Sequence, residues 1–81
     1  MNETEVRSII VDTLKSGSKT PGLFDLPKML GVKSKIESCA SIDEVVELLE
    51  SNREQISKSF GISDVAFNDG VKKLNELNAT A

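Results

Sequence analysis

Between Ser41 and Leu77 the chain reads as helix, a short break at Gly61-Ile62-Ser63, and helix again. No other feature constrains the fold as much. Glycine has no Cβ and enters the left-handed backbone region at little cost, so Gly61 suits the position just past a helix end. Ile62 then falls where an apolar side chain packs back on the helix just finished. Ser63 can cap the next helix by accepting a bond from one of its unpaired N–H groups. A stop and a start two residues apart force a sharp turn between two amphipathic segments.

The rest of the chain also reads as helices. Asn2 with Glu5 resembles a capping box, and Val6, Ile9, Ile10, Thr13 and Leu14 share one face of a helix over 3–16. Val11 lies off that stripe. Residues 17–22 are a loop by composition. Within it, Gly17-Ser18-Lys19-Thr20 resembles the end of a phosphate-binding loop. However, a helix precedes it and Pro21 follows, where that motif needs a strand before and a helix after. No nucleotide site is expected.

Residues 23–40 are dense in apolar side chains. Pro27 suits the first turn of a short helix that Gly31 ends, and Ser34 with Glu37 opens a second one toward Cys39. Over 41–60, Ser41 and Glu44 form the clearest capping box, with Ile42, Val45, Val46, Leu48 and Leu49 on one face. Asp43, Glu44, Glu47 and Glu50 lie opposite. Continuing that wheel puts Arg53 in the middle of the apolar face, where a charge is costly unless paired. Ser51 with Glu54 offers a new cap there, which favours a break near Ser51–Asn52 over one helix running to Phe60. The last helix is expected over 64–78, with Phe67, Val71, Leu74 and Leu77 buried and Gly70 permitting a close helix contact.

The expected fold is all-α, a compact bundle of five or six short helices in one 81-residue domain. With only Phe24, Phe60 and Phe67 as aromatics, the core must be mainly Leu, Ile and Val. It is expected around Val6/Ile9/Ile10, Leu26/Leu30, Val45/Leu49/Ile56 and Phe67/Val71/Leu74. One cysteine and no histidine exclude a disulfide framework, the usual zinc sites and any Ser/His or Cys/His pair. Cys39 reads as a small apolar residue, its pKa lowered slightly by Lys35 one turn earlier. The carboxylates of 43–54 form a solvated face without the Asp and Gly spacing of a calcium loop. No catalytic, cofactor-binding or metal-binding residue is assigned, and no enzyme activity is expected.

Residues 53–74 resemble a helix-turn-helix segment, on Ile56, Ser57, Phe60, the turn Gly61-Ile62-Ser63, Phe67, Val71 and Leu74. In DNA-binding proteins of that kind the second helix enters the major groove. The resemblance implies Asp64, Val65, Asn68 and Asp69 as base-reading positions, with Lys72 and Lys73 toward the backbone. Against this, two aspartates would face a polyanion, the second helix has no Arg to read guanine, and the net charge is −3.

Charge is unevenly spread. Residues 15–35 carry five lysines against Asp25, a net +4, whereas 36–64 carry seven acids against two bases, a net −5. Lysines flanking apolar residues make a common binding surface. Phe24, Lys28, Met29, Lys33 and Lys35 are therefore the candidate partner-binding residues. The expected function is a small non-enzymatic protein-interaction or regulatory domain, with DNA binding through 53–74 as the alternative. No apolar run is long enough to span a bilayer and the first five residues are acidic, unlike a signal peptide, so a cytoplasmic location is expected.

Overall fold

The computed structural model describes residues 2–20, 22–23 and 25–80. Among them are five helices: α1 (Glu3–Lys15), α2 (Leu26–Glu37), α3 (Ile42–Ser51), α4 (Arg53–Phe60) and α5 (Asp64–Thr80). Local chemistry accounts for most of their ends. The Asn2 side chain accepts from the Glu5 N–H, and the Ser41 hydroxyl accepts from the Glu44 N–H. The Glu44 carboxylate reaches back to the Ala40 N–H at 2.6 Å, one residue further out than a standard capping box.

Within 23–40 the described residues form one helix, α2, not two. A glycine inside a helix costs about 1 kcal/mol but does not break its hydrogen-bond ladder. At Gly31 that cost is offset, because Met29, Val32 and Ile36 make one continuous stripe packed against the core. Ser34 accordingly lies inside α2, where its carbonyl accepts from Ser38.

The acidic segment divides at Asn52. Ser51 does not cap α4; instead the Asn52 side chain donates to the Leu48 carbonyl at 2.8 Å, tying off the end of α3. At the other end of α4, Gly61 has φ +65°. The Ile62 N–H donates to the Ser57 carbonyl at 2.9 Å, the six-to-one bond of a Schellman ending. Ile62 is buried against the core, and the Ser63 hydroxyl accepts from the Ala66 N–H, capping α5.

α5 is the spine: α1, α3 and α4 pack against it, and α2 packs on α3. The buried core is Val6, Ile42, Val45, Leu49, Ile56, Ile62, Phe67 and Leu74, each contributing about 1.5–3 kcal/mol of burial. A radius of gyration of 11.9 Å matches the ~12 Å of a well-packed chain this long. Leu26 and Leu30, expected in the core, are instead 47% and 57% exposed. α2 carries two apolar rows, and the Met29/Val32/Ile36 row is the one that docks.

Two glycines allow close approach. A Cβ on Gly70 would collide with the Thr13 side chain, so α1 crosses α5 at this point. A Cβ on Gly17 would collide with the Phe60 carbonyl oxygen. The loop after α1 straps the corner there: the Lys19 N–H donates to the Phe60 carbonyl at 2.9 Å and the Ser18 N–H to the Gly61 carbonyl at 3.2 Å. The Gly17-Ser18-Lys19-Thr20 run thus spends two of its N–H groups on capping α4.

Candidate binding cleft

α1 and α2 both rest on the core without packing on each other as a helix pair. Between them opens a cleft of about 400 Å³. Val6, Ile10, Val11 and Leu14 form one wall, and Met29, Leu30, Val32 and Ile36 the other. Val45, Leu49, Ile56 and Phe60 make the floor. Among the described residues, the charged side chains lining it are Glu3, Arg7, Lys33 and Glu37.

The direction of the walls follows from contacts at their ends. The residues after α1 bond to Phe60 and Gly61, and Thr13 meets Gly70, so α1 runs antiparallel to α5. α2 starts beside α4, where Gln55 donates to Asp25 at 3.5 Å. It ends four residues before α3, whose Asp43 accepts from Asn78 near the end of α5. α2 therefore runs antiparallel to α1. On α1 the lining order is Glu3, Arg7, Ile10, Leu14, charged then apolar. On α2 the row Leu26, Leu30, Lys33, Glu37, at the same helical spacing, is apolar then charged. Antiparallel walls bring the charged ends together, so the cleft has one charged end and one apolar end. From residue spacing it is ~12–16 Å long, two to three helical turns.

None of Glu3, Arg7, Lys33 and Glu37 is ion-paired within 4 Å to another described residue. Of the candidate partner-binding residues, Met29 and Lys33 line the cleft. Lys28 and Lys35 are exposed but do not line it, and neither pairs with the acidic face of α3. Phe24 lies outside the described residues. Arg7, Val11 and Leu30 are cleft residues that sequence reasoning missed. Val11 lying off the α1 stripe was the available signal, since an apolar residue displaced from the core face is free to line a second surface.

The candidate DNA-reading positions have internal partners. Arg53 is half-buried rather than free in solvent. It bonds to Asn68 Oδ1 at 2.6 Å, lies 3.3 Å from Glu50 and 3.6 Å from Asp64, and stacks on Phe67. Lys73 pairs with Asp69 at 3.1 Å and Lys72 with Glu76 at 3.9 Å. Val65 is 79% exposed.

The Cys39 pKa is raised rather than lowered. Desolvation by its surroundings disfavours the thiolate, and the Glu44 carboxylate adds repulsion. Its Sγ donates to the Lys35 carbonyl at 3.3 Å, so Lys35 meets Cys39 through its backbone. Among the described residues, no group of three or more Cys, Asp or Glu stands together as a metal site, and no helix is long and apolar enough to cross a membrane. No protein-family model matches the chain, and no curated protein or solved structure is significantly similar to it.

Proposed function

We propose that this chain is a small non-enzymatic protein-interaction domain that takes an amphipathic helix in the α1–α2 cleft. The observation that carries this reading is an apolar trough left open between two helices, with four unpaired charges at one end. A trough of two to three turns suits the i, i+3/i+4, i+7 anchors of a docked helix, the usual helix-in-groove mode. DNA binding has less support: Asp64 and Asn68 hold Arg53, and both α5 lysines pair with carboxylates of their own helix.

The test is a methyl NMR titration of dilute protein with a model amphipathic helical peptide. Saturable shifts at Val11, Leu30 and Ile36, lost in Val11→Glu, are expected. A peptide that leaves the cleft methyls unmoved removes this reading.

A further inference from the structure

We propose that the cleft selects its partner helix by the order of charges along it. That helix carries two apolar anchors, then an acid, then a base in its last turn. This deepens the reading of the cleft as a protein-binding face and rests on it.

Both walls follow one order. Glu3 opens α1 and Glu37 closes α2, so the two acids stand outermost at the charged end. Four residues inward on each helix come the bases, Arg7 and Lys33. Three residues further in are Ile10 and Leu30, where the apolar part begins. Equal steps on antiparallel walls set acid opposite acid and base opposite base, so neither wall neutralises the other directly across the cleft. Along each wall the acid and base have the i, i+4 spacing that often pairs. Yet neither couple is ion-paired, whereas the same spacing does pair Asp69 with Lys73 and Lys72 with Glu76 on α5. All four cleft charges are exposed and open to a partner.

Such a pattern brackets an entering group from both sides. An acid at the level of Arg7 and Lys33 meets two bases, and a base at the level of Glu3 and Glu37 meets two acids. The two levels lie ~6 Å apart, which is also the rise between residues i and i+4 of a docked helix. Direction follows from the helix dipole: the outermost residue is a base, and a base is favoured in the last turn of a helix, not the first. The partner therefore runs parallel to α2, with the pattern apolar-x3-apolar-x2-acid-x3-base. This is the spacing of Leu26, Leu30, Lys33 and Glu37 with the charges inverted. A helix of uniform charge meets repulsion at one level, and one with acid and base exchanged meets it at both.

The test uses the dilute full chain and two helical peptides of identical composition, read by the methyls of Ile10, Leu30 and Ile36. One peptide carries the pattern above; the other has its acid and base exchanged. The first should bind about tenfold more tightly, and the gap should shrink in high salt, which screens exposed charges. In a chain carrying Glu3→Arg, Arg7→Glu, Lys33→Glu and Glu37→Lys the preference should invert. That inversion cancels any difference in the helicity of the free peptides, and the four exposed positions should leave the fold intact. Equal Kd values for the two peptides overturn selection by charge order and leave the protein-binding reading standing. Methyls unmoved by either peptide remove both. Shifts that follow protein concentration without peptide assign the cleft to a second copy, and saturable shifts with dodecylphosphocholine alone assign it to an amphiphile; either result overturns the proposal.

Discussion

The guanidinium of Arg53 lies over the ring of Phe67, 4.6 Å from its centroid. This contact spans the corner between α4 and α5, and hydrogen bonds to Asn68 and the Asp64 carbonyl hold it in place. A charge that a single straight helix would have buried becomes a clasp once the helix breaks at Asn52. Arg53→Leu is therefore expected to destabilise the fold by about 1 kcal/mol, from the lost stacking and charged hydrogen bonds. A double-mutant cycle with Asn68→Ala should show coupling; additive effects on the melting temperature would mean that the bond contributes nothing.

Gly61 holds the same corner from the backbone. At φ +65° any side chain is strained, and a Cβ would also lie 2.6 Å from the Ser18 hydroxyl. Gly61→Ala should lower stability by about 1 kcal/mol or more, read by urea denaturation. An unchanged midpoint would contradict the left-handed ending of α4.

Ser57 offers the opposite sign. Its hydroxyl oxygen is buried and has no hydrogen-bond partner among the described residues. An unsatisfied buried polar atom costs about 1–3 kcal/mol, and Ala is the better helix former. Ser57→Ala should raise the melting temperature, and a fall would show that the hydroxyl is satisfied in solution.

Gly70 and Thr13 set the distance between α1 and α5. Gly70→Ala should destabilise the fold even though Ala favours helix by about 1 kcal/mol, because its Cβ meets the Thr13 Oγ1 and Cγ2 atoms. Thr13→Ala removes both atoms and should recover part of the loss. Stabilisation by Gly70→Ala alone would show that the helices separate freely.

For Cys39 the sign follows from its environment. Desolvation and Glu44 both disfavour the thiolate, so it forms only above the pH at which a free thiol ionises. Alkylation of the native protein should thus be slower than that of a model thiol near neutral pH, and should rise at higher pH than the model. Glu44→Gln should move the profile back toward the model compound; a native profile already matching the model would refute this account.

The α4–α5 corner was legible because its causes are local. Gly61, Ile62 and Ser63 act over one helical turn, and their roles follow from residue type. The caps at Asn2 and Ser41 are of the same kind. Gly31 was misread as a helix end for the converse reason: its local cost is small, and only packing of Met29, Val32 and Ile36 on the core outweighs it. The role of Gly17 was also hidden, since the Phe60 carbonyl it approaches lies 43 residues away in sequence.

The cleft belongs to this second class. Sequence periodicity shows that α2 carries two apolar rows, but not which one docks. That choice depends on how α2 packs on α3, which turns the Met29 row inward and leaves Leu26 and Leu30 outside. Local hydrogen bonding acts within a few residues and is written in the order of the chain. Burial of apolar surface has no direction of its own, so which face it claims depends on the shape that the rest of the chain presents.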